Sequence, residues 1–278
     1  MKRVDIDRYG APEDVARCVE VADVGAPDAG EVVFDVLLFP INPADVSFCR
    51  GTYRLRPPLP ATPGAECVGR IAAVGGGVTT VKPGDLVVNL QRENWAQRRR
   101  VKADDVIPVP PGMNLRQAAM LRINPPTALL LLSDFVELKP GDWIIQNVAN
   151  SAVGRLVIRL GLDAVSGRAT ARLSAGVGDG GVIVNYGSMS GEDPVMARAG
   201  LIGGGQTLAG FILGRGLASR SLAEVRAMYA DLARQVEDGF LSAPVEKIYP
   251  IEEIKTALAH AQRGERSGKI LVAPNGAV

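Results

Sequence analysis

The chemistry in this chain starts with a run of small and polar residues, Asn147-Val148-Ala149-Asn150-Ser151-Ala152-Val153-Gly154. It lies between an apolar run and a helical pattern. Lys139-Pro140-Gly141-Asp142 is a turn, and Trp143 to Val148 reads as a buried strand. Asn150-Ser151 is a strong helix start, followed by Val153, Leu156, Val157 and Leu160 at helical spacing. A strand, a tight turn and a helix N-terminus turn free N–H groups and a dipole end toward one point, which suits a diphosphate. The usual G-x-G-x-x-G is reduced here to Gly154. The residues alone leave two readings open, a dinucleotide-binding turn or an ordinary strand–helix corner.

Other chemistry is sparse. Three cysteines (Cys18, Cys49, Cys67) and one histidine (His260) occur in 278 residues, with no C-x-x-C. A structural zinc site and a thioredoxin-like motif are therefore not expected, and the odd cysteine count suits a reducing compartment. Net charge is +1 and 5% of residues are aromatic, so neither nucleic acid nor an anionic membrane is implied as a partner. The N-terminus Met1-Lys2-Arg3-Val4-Asp5 lacks the apolar run of a signal peptide, and no stretch reaches the ~20 apolar residues of a membrane span. A cytoplasmic location is expected.

Hydrophobic content of 47% over this length predicts one large domain or two ordinary ones. Up to about residue 110 the pattern is β-rich. Strands are expected over 31–40 and 66–75, and 81–88 reads as a turn feeding a further strand, as in a compact barrel-like domain. Between the first two, Ile41-Asn42-Pro43-Ala44-Asp45-Val46-Ser47, Gly51-Thr52-Tyr53 and Arg56-Pro57-Pro58-Leu59-Pro60 read as a long irregular loop, where function tends to sit. From Leu115 helices alternate with strands. Helices are expected at 115–121, from 127 (after a break at Asn124-Pro125-Pro126), at 168–173, 222–235 and 251–262. Strands are expected at 181–187, 207–213, 245–250 and 268–272.

These segments together resemble the medium-chain dehydrogenase/reductase superfamily, in particular its zinc-free branch of quinone oxidoreductases and mitochondrial-type 2-enoyl-thioester reductases. The matching residues are Ile41 to Asp45, Gly51-Thr52-Tyr53, Pro63-Gly64-Ala65-Glu66, Val81 to Asp85, Asn124 to Ala128, Pro140-Gly141-Asp142, Gln146 to Gly154, Tyr186-Gly187-Ser188-Met189 and Gly268 to Leu271. They fall in the family's order over nearly the whole chain. In the zinc branch a metal-ligating His precedes the Glu of Gly64-Ala65-Glu66; Ala65 stands there, so Glu66 reads as a structural carboxylate.

The resemblance implies an α/β fold. A GroES-like β-barrel catalytic domain of residues 1–113, completed by 243–278, would flank a Rossmann-type doubly wound parallel sheet of residues 114–242. It implies NADPH-dependent reduction of the C2=C3 bond of 2-enoyl thioesters, as in fatty-acid metabolism. Tyr53 would then donate to the enolate oxygen; without the family it is a turn tyrosine. The cofactor would be held by Asn124, by Asn150, Ser151, Ala152 and Val153, by Tyr186, Gly187, Ser188 and Met189, by Phe211, Ile212 and Leu213, and by Lys269. Without the family, Lys269 is equally a solvated lysine at a strand start. A homodimer through the Rossmann sheet edge is implied, with 182–186 and 208–213 apolar enough to form it.

Two departures stand out. The family carries an aromatic residue where Ile212 stands. More importantly, Arg159-Leu160 runs directly into Gly161-Leu162, where the family has two further strand–helix units, on the order of 50–60 residues. Either the chain lacks them, or a segment has been omitted and the numbering closed up. A true deletion removes the adenosine half of the site and its 2′-phosphate recognition. Two alternatives to enoyl reduction follow, an NADPH quinone reductase on the same fold and a catalytically silent binding or structural subunit.

Overall fold

The computed structural model describes residues 1–135, 137–138, 144–147 and 161–276. The chain divides into two compact units, Met1–Ile123 with Arg226–Val278, and Asn124–Val225.

In the first unit, β1 (Lys2–Ile6) and β2 (Ala16–Glu20) pair antiparallel around a short α1 (Pro12–Val15). The central strand is β3 (Glu31–Pro40), in which Val32, Val33, Phe34, Val36, Leu38 and Phe39 are all buried. Burial on both faces explains why it reads as a nearly continuous apolar run rather than an alternating one. Around it lie β4 (Val68–Val74), β5 (Leu86–Asn89), β6 (Arg98–Lys102), β7 (Val106–Pro108), β11 (Val245–Pro250) and β12 (Lys269–Ala273). The order is β11-β12-β3-β4-β5-β7, with β6 also paired to β3. The barrel-like content is there, but among the described residues β11 and β7 remain sheet ends and no closed barrel forms.

The expected loop after β3 is corrected. Pro43–Arg50 form a helix, α2, with Asn42 as N-cap and Pro43 in the first turn. Asn-Pro looks like a breaker, yet Pro at the first helical position costs no hydrogen bond, because that N–H would be unpaired anyway. Gly51 ends α2 at φ 72°, and its N–H donates to the Phe48 carbonyl. A Cβ there would meet Tyr9 Cγ at 2.8 Å, so both backbone and space demand glycine.

Asn114 caps α3 (Leu115–Ala118) with its side chain. The expected break at Asn124-Pro125-Pro126 is instead the first turn of α4 (Asn124–Ser133), for the same reason as in α2. The second unit is a parallel sheet of β8 (Gly161–Asp163), β9 (Val182–Asn185) and β10 (Thr207–Gly210), in the order β10-β9-β8. Beyond β8, Gln146 forms a parallel bridge to Leu162, so the segment 144–147 continues the sheet. The helices of this part are α5 (Arg168–Ser174), α6 (Leu213–Ala218) and α7 (Leu222–Glu237), which runs on into the other unit; α8 (Ile254–Ala261) lies in the tail. The strand expected over 207–213 stops at Gly210, because Leu213 opens α6 with Ile212 as its N-cap. Among the described residues no helix is long and apolar enough to cross a membrane.

Candidate functional site

In a parallel sheet the carboxyl ends of neighbouring strands open on one edge, where ligands bind. Here that edge carries Asn147, then 164–167 after β8, Tyr186 to Met189 after β9, and Phe211 to Leu213 after β10. The ladder ends in register: Tyr186 N–H donates to the Asp163 carbonyl and Phe211 N–H to the Asn185 carbonyl, both at 2.9 Å.

One buried carboxylate, missed in the sequence, organises this edge. Asp163 Oδ1 accepts from Asn147 Nδ2 (2.6 Å) and from the N–H groups of Val165 and Ser166 (3.0 Å each). Its Oδ2 accepts from Thr170 Oγ1 (2.5 Å) and Asn185 Nδ2 (2.9 Å). Burial alone would push the Asp163 carboxyl up; the donors from Thr170, Asn147, Ser166 and Asn185 outweigh it and hold the carboxyl below the usual range. Ser166 is held at φ 67°, a strained conformation for a non-glycine residue, and donates to the Gly187 carbonyl at 3.0 Å. A Cβ on Gly187 would meet the Ala164 carbonyl at 2.8 Å, so the strand ends pack backbone to backbone.

Asn124, at the start of α4, is buried, and its Nδ2 has no hydrogen-bond partner among the described residues. A buried donor left unpaired costs ~1–3 kcal/mol. Such an atom is what a site for a polar ligand group leaves behind. It fits the nicotinamide cofactor that the resemblance implies.

In the first unit, Tyr53 follows the end of α2. The Ser47 carbonyl accepts from the N–H groups of Thr52 (3.0 Å) and Tyr53 (3.1 Å). The Tyr53 ring packs against the core, is half-buried, and has the Arg92 guanidinium over its face at 4.9 Å. Among the described residues its hydroxyl carries no hydrogen bond.

Lys269 lies at the start of β12, and its ammonium turns inward. Lys269 Nζ donates to Asn42 Oδ1 at 2.6 Å, and Asn42 Nδ2 donates to Glu66 Oε1 at 2.8 Å. The N–H of Ile123 donates to Glu66 Oε2 at 2.9 Å. Burial pushes the Glu66 carboxyl up to about 7, opposed by Lys269, Asn42 and Arg122; burial likewise pulls the Lys269 ammonium down. Asp45, fully buried, accepts from Asn42 N–H (3.0 Å) and Ala65 N–H (2.9 Å) and lies 3.7 Å from Arg92 Nη2. Tyr53 and Lys269 are thereby linked through Arg92, Asp45 and Asn42. Among the described residues no group of three or more His, Cys, Asp or Glu could hold a metal.

Of the remaining sequence candidates, Tyr186, Gly187, Ser188 and Met189 stand beside Phe211, Ile212 and Leu213 at adjacent strand ends. Met189 and Ile212 are exposed. Asn150, Ser151, Ala152 and Val153 lie outside the described residues. Among the described residues Val182 to Asn185 form an interior strand, and β10 rather than β9 ends the sheet.

Two family profiles match the chain, the alcohol dehydrogenase GroES-like domain over residues 28–111 and the zinc-binding dehydrogenase over residues 139–272. A mitochondrial enoyl-[acyl-carrier-protein] reductase of Bos taurus is 30% identical over 310 aligned positions, taking in 90% of this chain and 83% of that protein. Those positions outnumber the 278 residues available, so a stretch of the relative has no counterpart here. Among solved structures, the mitochondrial 2-enoyl thioester reductase heterodimer of Candida tropicalis superposes with a TM-score of 0.83 at 21% identity, covering 98% of this chain and 99% of that one. The quinone oxidoreductase of Escherichia coli complexed with NADPH gives 0.86 at 20%, covering 99% and 100%.

Proposed function

As the chain belongs to the medium-chain dehydrogenase/reductase family of oxidoreductases, we propose that it reduces the C2=C3 double bond of 2-enoyl thioesters with NADPH. The observation that carries this reading is the 30% identity to the bovine enoyl-[acyl-carrier-protein] reductase across 90% of the chain. When bound, the nicotinamide supplies a hydride to C3 and C2 takes a proton. The thioester oxygen gains negative charge as the enolate forms, and a donor that bonds more strongly to that charge than to the ground-state carbonyl lowers the barrier. Tyr53 is the proposed donor, with its hydroxyl free of any internal partner among the described residues.

The proposed cofactor contacts are Asn124, Tyr186 to Met189, Phe211 to Leu213 and Lys269, with Asn150 to Val153 at the diphosphate. Lys269, bonded through its ammonium to Asn42 Oδ1, acts in this reading from the end of that network. With Ala65 in the ligand position of the zinc branch, the proposed reaction is independent of zinc. The position of β10 at the end of the sheet among the described residues supports the proposal of a homodimer. All three cysteines are free thiols, which supports a reducing compartment such as the cytoplasm.

The test is turnover of a crotonyl thioester, followed by NADPH oxidation, in the wild type and in Tyr53→Phe. A loss of at least ~10-fold is expected for one donor to a developing oxyanion. Unchanged turnover removes Tyr53 from the role. A faster rate on a naphthoquinone than on the thioester selects the quinone reductase instead. No thermal stabilisation at millimolar NADPH selects the silent subunit.

A further inference from the structure

We infer that Arg92 is a positioning residue for Tyr53, holding a cation against the phenol ring where charge builds up during reduction; this rests on the proposed role of Tyr53. Arg92 lies in the segment before β6. Its guanidinium carbon is 4.9 Å from the Tyr53 ring centroid and 5.7 Å from that of Phe48. Its Nη2 is buried without a hydrogen bond among the described residues and lies 3.7 Å from Asp45 Oδ1. The Arg92 side chain is 23% exposed and that of Asp45 is 0% exposed. The guanidinium is therefore fixed between a buried carboxylate on one side and two aromatic faces on the other, largely out of water.

That placement has a chemical consequence. As the Tyr53 hydroxyl donates ever more strongly to the forming enolate, electron density rises on the phenol oxygen and spreads into the ring. A cation over the ring face interacts more favourably with this charged ring than with the neutral one. The interaction thus grows on the way to the transition state, which raises kcat and leaves substrate binding alone. Asp45 complements it. Its carboxylate holds the guanidinium in place, and its two backbone N–H donors, from Asn42 and Ala65, fix the carboxylate itself.

The experiment compares wild type, Tyr53→Phe, Arg92→Gln, Arg92→Lys and the double variant Y53F/R92Q, each checked for folding by its melting temperature. Arg92→Gln is expected to lower kcat about three- to thirtyfold with KM for the thioester unchanged. Arg92→Lys keeps a cation over the ring and recovers most of the loss. In the Tyr53→Phe background, Arg92→Gln has no further effect on kcat, because no charge builds on the ring. Should Arg92→Gln fold poorly by leaving Asp45 unpaired, D45N/R92Q removes both charges and carries the same comparison. An unchanged kcat in the arginine variant, or the same loss with and without the Tyr53 hydroxyl, overturns the inference and leaves Tyr53 as donor. Unchanged turnover in Tyr53→Phe overturns both together.

Discussion

Replacing Glu66 with Gln keeps the size and shape of the side chain and removes only its charge, so it tests the direction of the chain from Lys269 through Asn42 to Glu66. In the native protein Asn42 uses its oxygen for Lys269 and its amide for Glu66. The substituted side chain would need its own oxygen for the Ile123 N–H, which the carboxylate satisfies at 2.9 Å. Its amide would then face the Asn42 amide, donor against donor. Flipping Asn42 only moves the conflict to Lys269. One hydrogen bond is lost in either arrangement, and Lys269 keeps only Asp45 as a nearby counter-charge. An unpaired buried donor costs ~1–3 kcal/mol, and breaking a buried pair from one side ~3–5 kcal/mol. For this partly screened ammonium we expect about 3 kcal/mol, or a melting temperature lower by roughly 6–12 °C. Thermal melts at pH 8 read this directly. The double variant E66Q/K269M removes the surviving charge, and its cost should fall short of the sum of the two single variants by about 2 kcal/mol. A loss below ~1 kcal/mol in Glu66→Gln, or strict additivity in the double variant, would refute a directional network.

Three further outcomes follow from the geometry. Asp163 has its folded carboxyl below the ordinary range, so its contribution to stability is present above the unfolded value and is lost as pH falls through the folded one; Asp163→Asn should flatten the acid limb of a pH–stability curve, and an unchanged limb argues against the five-donor arrangement. Asn124→Ala should leave the melting temperature of the free protein within about 2 °C, since the lost Nδ2 has no partner to forfeit, while weakening the stabilisation conferred by NADPH; a thermal titration that matches the wild type would deny Asn124 a cofactor role. Gly51→Ala should cost roughly 1–2 kcal/mol, from φ 72° and the close Tyr9 ring, and should lower turnover by displacing Tyr53; denaturant melts together with kinetics check both.

The alternation of strand and helix signals is legible because each period is strong. The apolar run of β3, the parallel strands at 182–185 and 207–210, and the helix from Leu222 can each be read from spacing alone. Prolines mislead. Asn42-Pro43 and Asn124-Pro125-Pro126 look like interruptions, whereas they open helices, the first with Asn42 as its N-cap. Tyr53 can be picked out by resemblance. Arg92 cannot, since it is one arginine in an arginine-rich stretch and its meaning comes from the Asp45 carboxylate and two rings brought to it from α2 and beyond. Asp163 is hidden in the same way. A carboxylate after two other strand residues looks like a strand end, and beside the nearby donors of Val165, Ser166 and Thr170 it collects Asn147 and Asn185 from distant segments.

The parallel bridge between Gln146 and Leu162 bears on how the shortened sheet is built. In a doubly wound sheet of order 3-2-1-4-5-6, the first strand lies beside the fourth. The two strand–helix units that the family carries after the position of Leu160 belong, in that order, at the outer margin, so a sheet without them would be trimmed rather than cut. The junction after Leu160 is therefore a natural splice point. A relative's two units could be transplanted there as a cassette, and the chimera would report by gain of function how much of nucleotide selectivity resides in that removable margin.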